Sequence, residues 1–433
     1  KSVDPKGSCL FESDRGHHSV PWPGLVIYAG LALLARMAGA TRESGFSMTA
    51  STGSLEGTAQ PGAAFRLHEL DGIRGWAAFS VLLFHVFWET FGVLVPQFRN
   101  PATAGLLNGA YDVDVFFVLS GDALSAAFFA RRDYGAVLRA AIGRYPRLTI
   151  PIAAGTLIVF ALMAARLVFS APAAVIVHRP DWLGHFGQAA PDVLSFLLFV
   201  TRDVFVQAGD TTYMPFLWTM RTELVGSVLV FALLLSYERL RRPDLWIGVI
   251  AVLLLAARSP IACFAFGMLL GRARGQGLFE QARRRLNGCA VAALALPLYG
   301  LVGFTQYHPK PGAYLNIPVA AASLALVYSS PGLKRFFGHH PVSRFFGVIS
   351  FPLYLVHYAV LISLMSYLII ICADQGTLTL GAIWGIAAVT IAVSLLAAWA
   401  FTPVEILTRR FNKMLTRALV RPRARPITPR GEN

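Results

Sequence analysis

Charge is scarce in this chain. Only 14% of its 433 residues are Asp, Glu, Lys or Arg, 55% are hydrophobic, and the mean hydropathy is +0.57. A soluble globule carries about a quarter charged residues, so this much apolar surface needs lipid as its solvent and an ordinary soluble protein is excluded. Cysteine is also sparse. Cys9, Cys263, Cys289 and Cys372 are scattered, three of them within apolar segments, with no C-x-x-C or histidine-spaced pair. Neither a disulfide framework nor a zinc site is expected from them, and no metal is expected elsewhere. Acidic residues are outnumbered 23 to 38 by basic ones, for a formal charge of +15. Such an excess can signal nucleic acid. Here the basic residues form short clusters between apolar segments, which is the loop charge of a membrane protein, so no nucleic-acid partner is expected. No repeat of about 20–50 residues is visible, which leaves solenoids and inverted-repeat architectures without support.

What is present is a series of long apolar segments. About 20 mostly apolar residues span a bilayer, fewer when neighbours shield them. Ten segments qualify, at 76–95, 112–130, 148–169, 216–236, 245–257, 260–271, 288–305, 314–329, 346–372 and 380–402. The expected fold is an all-α, polytopic integral membrane bundle of about ten transmembrane helices. The fifth and sixth segments are short, with Arg258-Ser259-Pro260 between them as a tight turn. Basic clusters at 131–147, 239–242, 272–285, 334–344 and from 409 onward fall on alternate connections, which places both termini in the cytoplasm. Segment 191–206, broken by Arg202 and Asp203, is expected to be an interfacial or re-entrant piece of a long outer loop, 170–215, because counting it as a span reverses the side of Arg239, Arg241 and Arg242.

Three regions follow from this pattern. Residues 1–65 form a non-conforming or disordered lead-in, with a short apolar run at 25–38 and a Ser/Thr/Gly/Ala-rich stretch at 49–65. Met48 is expected as the natural start, which makes 1–47 upstream translation or a tag; a weak signal or an extra helix is the alternative. Residues 66–405 form the membrane domain, and 406–433 form a basic, disordered cytoplasmic tail suited to contact with anionic membrane lipid.

Ionisable residues inside spans are costly, so each is a functional candidate. His85 lies eleven residues past Arg74, about 16 Å along a helix. A neutral imidazole at that depth can take a proton from a hydroxyl and return it, as acyl transfer to an alcohol requires; the alternative is a packing histidine bonded to a neighbour. Glu223 stands two turns into the fourth span, after Trp218 and Arg221, and Arg221 is two residues away and cannot face it. It either makes an interhelix hydrogen bond or orients a base or substrate. Asp112 and Asp114 stand at the outer mouth of the second span, with Asp122 deeper, after Ser120-Gly121. His357, preceded by Tyr354, is a second mid-membrane imidazole that either shares the site or is structural. Arg144 and Arg147 share one helix face before the third span, as topology-setting charge or as a clamp for a phosphate.

These residues sit in phrases that resemble the acyltransferase 3 family of membrane O-acyltransferases. Leu70-Asp71-Gly72-Ile73-Arg74-Gly75-Trp76-Ala77-Ala78 leading to Phe84-His85 is similar to the family's opening helix, with its arginine, ten intervening residues and histidine. Asp112-Val113-Asp114-Val115-Phe116-Phe117-Val118-Leu119-Ser120-Gly121 resembles its second. Arg144-Tyr145-Pro146-Arg147-Leu148 followed by Pro151 resembles the basic start of the third, and Leu217-Trp218-Thr219-Met220-Arg221-Thr222-Glu223 the tryptophan and glutamate phrase. Ile349-Ser350-Phe351-Pro352-Leu353-Tyr354-Leu355-Val356-His357 resembles the late Ser-x-x-Leu-Tyr-x-x-His phrase. The similarity runs over about 66–405, and five motifs in order make it specific.

The resemblance implies a protein of a bacterial inner or plasma membrane, or of a eukaryotic endomembrane. Its activity would be transfer of an acyl group, commonly acetyl, from acyl-CoA to a hydroxyl of a glycan, a lipid-linked saccharide or another envelope or secondary-metabolite acceptor. Acyl-CoA is then a co-substrate, with no tightly bound cofactor. Carried over by position, His85 is the essential imidazole, as general base or transient acyl carrier, with Glu223 in support. Arg74, Arg144 and Arg147 serve the CoA-facing side. Asp71, Asp112, Asp114, Ser120, Trp218, Tyr354 and His357 bind substrate or support the site. The chain departs from the pattern where Glu223-Leu224 replaces a common pair of carboxylates, and at Asp122, where an apolar residue is usual. A rival from another class is a proton-coupled exporter of a polar solute, with buried His and Glu as a proton relay. A third reading is an inactive relative that scaffolds glycan assembly.

Overall fold

The computed structural model describes residues 67–207 and 212–419. The lead-in at 1–65, with Met48, Cys9 and the run at 25–38, lies outside the described residues, as does the basic stretch at 421–430. Every regular element among the described residues is a helix. Apolar chain with no water at hand must satisfy its backbone groups internally, and a helix does so within one segment. Ten main helices follow the ten apolar segments. They are α1 (His68–Thr90), α2 (Gly109–Arg131), α3 (Tyr134–Ala164), α4 (Thr219–Ser236), α5 (Pro243–Ala256), α6 (Ala262–Gly275), α7 (Gly288–Tyr307), α8 (Pro309–Ser329), α9 (Pro341–Val360, continuing to Asp374) and α10 (Leu380–Leu419). Side-chain caps mark several starts: Asn108, Asp133 and Asn287 accept the backbone N–H of Tyr111, Ala136 and Ala290 at 3.0, 2.8 and 2.8 Å.

Of the ten segments expected to span, seven are long and apolar enough to cross a membrane by length and composition. These are α1, α2 with its lead-in (Pro101–Arg131), α3, α4 with its flanking turns (Pro215–Arg239), α7, α9 and α10. The shortfall lies at α5 and α6, of 14 residues each, and at α8, whose apolar part is Tyr314–Ser329. Arg258 turns the chain between α5 and α6 in the left-handed region, φ 56°, and Ser259 N–H closes the end of α5 on Leu254 O at 2.9 Å. Segment 191–206 forms only short pieces, Val193–Leu198, Phe199–Asp203 and Val204–Val206. The boundary at 405 is not a structural break: α10 runs to Leu419, so 406–419 is helix and not a disordered tail.

Two helix pairs make the most extensive contacts, α2 with α6 and α1 with α9. The second pair positions the site. Gly75 of α1 and Gly347 of α9 let the two backbones meet: a Cβ on Gly75 would run into the Phe346 and Gly347 backbone, and one on Gly347 into that of Asp71. Trp76 Nε1 donates to Ser343 Oγ at 3.0 Å. The two helices run side by side in the same direction, and this register carries His85 to His357 further along. We expect Gly75→Val to force α1 and α9 apart at a cost of about 1–3 kcal/mol, read as a lower unfolding temperature of the purified protein in detergent. An unchanged unfolding temperature would show that the seam tolerates a side chain and does not set the register.

Candidate active site

Polar residues along α1 form successive layers, each closed by groups from other helices. At the start of α1, buried Glu69 pairs with Lys334 at 3.4 Å. Other charged groups gather at this end: Arg132 lies 4.6 Å over the Tyr237 ring, and Arg272 pairs with Asp244 at 3.1 Å. A groove of about 770 Å³ opens there, lined by Glu280, Arg283, Arg284, Lys334, Arg335 and His339.

Next comes Arg74, whose guanidinium donates to the Leu119 carbonyl at 3.1 Å. The following residue, Ser120, donates to Glu223 Oε1 at 2.7 Å. The same oxygen accepts from Arg144 Nη2, and Arg144 Nε donates to Ser227 Oγ at 2.8 Å. The partner of Glu223 thus comes from α3, across the bundle. Of the three arginines expected on the CoA-facing side, Arg144 is already neutralised by the protein, whereas Arg147 is exposed near Glu405 and Arg409. A parallel layer holds Asp122, which accepts from Arg274 at 2.7 Å and Tyr328 at 2.8 Å. This gives the unusual Asp122 a structural reason: an aspartate in an apolar helix is tolerable when a guanidinium and a phenol meet it.

The third layer is the imidazole pair. α1 loosens from α-helix to π-helix over Phe84–Thr90, and π-turns of this kind recur at functional sites. His85, half-buried, presents Nδ1 to Nε2 of buried His357 at 3.1 Å. The two rings lie edge to edge, 9° from parallel with centroids 5.3 Å apart, and Phe216 lies flat against both, with centroids 4.1 Å from His85 and 5.3 Å from His357. Tyr354 OH donates to the Phe216 carbonyl, so the 2.6 Å contact between Tyr354 and Thr219 has the threonine as donor. Trp182 reaches this layer from the α3–α4 connection, 5.6 Å from His85.

The fourth layer was not foreseen. Glu89, one turn past His85, accepts from Arg179 Nη2 at 2.7 Å, and Arg179 Nη1 donates to the Glu89 carbonyl. Arg179 also pairs with Asp181 at 3.1 Å. This ties the loop bearing Trp182 to the histidine's own helix. Glu89 had a signal, as an ionisable residue inside an apolar segment; Arg179 and Trp182, in an aperiodic loop, had none. The other expected residues have surroundings of their own. Asp71 packs on Gly347, Asp112 is buried beside Ser80, Asp114 Oδ1 accepts from Cys263 Sγ at 3.5 Å, and Trp218 is exposed. Among the described residues, no cluster of three or more His, Cys, Asp or Glu is placed to hold a metal.

Removing one partner of a buried ion pair strands the other charge, at about 3–5 kcal/mol. Glu89→Ala and Arg179→Ala are each expected to lower thermal stability in detergent by that order. Glu89→Leu with Arg179→Met is expected to recover most of the loss. A double variant as unstable as the single ones would contradict a clamp between helix and loop.

The family model described as an acyltransferase domain, acyltransferase 3, matches residues 67–400. Comparisons with curated proteins and with solved structures find no match. The matched span contains all four layers on α1, from Glu69 to Arg179 and His357. On that span and on its membrane-crossing helices, the chain belongs to the acyltransferase 3 family and is an integral membrane acyltransferase.

Proposed function

We propose that the protein transfers an acyl group, acetyl in the first instance, from acyl-CoA to a hydroxyl of a carbohydrate or related acceptor. The observation that carries this reading is the half-buried His85, one ring nitrogen held by His357 and its face covered by Phe216. Such an imidazole is oriented for in-plane attack on a proton. In this reading the end of the bundle that bears the basic groove and Arg147 faces the cytoplasm, with both termini, and all ten main helices lie within the membrane. Acyl-CoA enters from that side. Its phosphates meet Arg147 and the groove cations, Arg74 lies on the way inward, and the thioester reaches His85. Glu223, charge-balanced by Arg144, holds the floor of the site. The acceptor approaches from the other end, past Trp182 and the loop tied down by Arg179. His85 acts as general base toward the acceptor hydroxyl or carries the acyl group in transit. The membrane is a bacterial inner or plasma membrane, or a eukaryotic endomembrane.

The test uses labelled acetyl-CoA, the purified protein and a panel of sugar and lipid-linked acceptors. Wild type is expected to form labelled ester, and His85→Ala to reduce transfer by on the order of 100-fold or more with its unfolding temperature retained. Proton-coupled solute flux without acyl-CoA turnover would replace this reading with the exporter.

A further inference from the structure

The hydrogen bonds around the two imidazoles dictate where their protons sit. His357 Nδ1 lies 2.8 Å from the carbonyl oxygen of Leu353, which can only accept. His357 Nδ1 therefore carries its proton, and in a neutral ring Nε2 is then a bare lone pair. That lone pair faces His85 Nδ1 at 3.1 Å, so His85 Nδ1 is the donor. The remaining atom, His85 Nε2, is thereby the lone pair of its ring, and it has no protein partner among the described residues. A backbone carbonyl four residues back on α9 thus fixes which nitrogen of a histidine on α1 can act as a base.

We propose that His357 is a positioning residue that holds His85 in the tautomer with Nε2 bare and supports the imidazolium that forms there. This rests on the transfer reading above. In the step, the acceptor O–H bond breaks as its proton moves to His85 Nε2, and the oxygen attacks the thioester carbonyl carbon. The C–S bond then breaks, and the sulfur takes that proton from Nε2, which leaves an ester and CoA thiol with His85 neutral again. Throughout, His85 Nδ1–H points at the His357 lone pair, a hydrogen bond that strengthens when the ring is cationic. Phe216, flat against the His85 ring at 4.1 Å, adds cation–π attraction in the same state. Both interactions favour the charged intermediate over the resting ring, which is the condition for faster chemistry.

Two amides separate this role from simple packing. Gln at 357 places a carbonyl oxygen near the position of Nε2 and can accept from His85. Asn places its amide near the position of Nδ1, keeps the bond to Leu353, and offers His85 nothing. Transfer from labelled acetyl-CoA is measured for wild type, His357→Gln, His357→Asn and His357→Leu. The expected result is a kcat within about tenfold of wild type for Gln and on the order of 100-fold lower for Asn and Leu, with KM for acetyl-CoA unchanged throughout. Equal kcat in the three variants, or Asn better than Gln, overturns the proposal. Wild type without turnover defeats the transfer reading instead, and is a separate result. Should the variants fail to fold, ¹⁵N spectra of histidine-labelled wild type in nanodiscs decide the question alone. Protons on Nδ1 of both rings support the proposal, and a proton on Nε2 of His357 overturns it.

Discussion

The cost of placing an ionisable group in an apolar slab organises this protein. Glu223, Asp122 and Glu89 each lie on a helix whose own neighbours cannot neutralise them, and each is met from elsewhere: by Arg144 on α3, Arg274 on α6, and Arg179 in the α3–α4 connection. Removing either partner leaves the other charged and without compensation. These pairs therefore constrain which helices stand beside which, and they do so with a direction that apolar contact lacks. Leu and Val on adjacent helices can slide; a guanidinium on a carboxylate cannot without losing its hydrogen bonds.

Within that frame the imidazole pair depends on backbone geometry. Gly75 and Gly347 bring α1 and α9 into contact, and the π-helical stretch from Phe84 turns His85 toward α9. Phe216, fixed through its carbonyl by Tyr354, then covers both rings. Polar contacts lie on either side, Arg144 with Glu223 below and Arg179 with Glu89 above, and His85 is the less buried of the two imidazoles.

Much of this was legible from residue types and spacing. An apolar chain with basic clusters between its runs has no soluble alternative, and ten helices stand where ten apolar runs were read. Seven of the ten are long and apolar enough to cross a membrane by length and composition; a hydropathy window responds to apolar character and not to length, and α5 and the Tyr314–Ser329 part of α8 have the first without the second. His85 and Glu223 stood out because a titratable side chain in an apolar span demands an explanation. Their partners did not. Arg221 was correctly set aside as unable to face Glu223, but spacing along one helix says nothing about Arg144, 79 residues away in sequence. Asp122 looked anomalous for the same reason, since Arg274 and Tyr328 come from helices far along the chain. The resemblance that sets the end of the membrane domain at 405 stops inside a helix, since α10 continues unbroken to Leu419.

The central claim is that these layers serve chemistry on a thioester and not passage of a solute. It is tested most directly in proteoliposomes of known orientation, supplied with labelled acetyl-CoA and acceptor, by counting free CoA thiol against labelled ester. The account predicts one thiol released for each ester formed, with thiol appearing on the face where acetyl-CoA was added. Proton-coupled movement of a polar solute with no thiol released would contradict it.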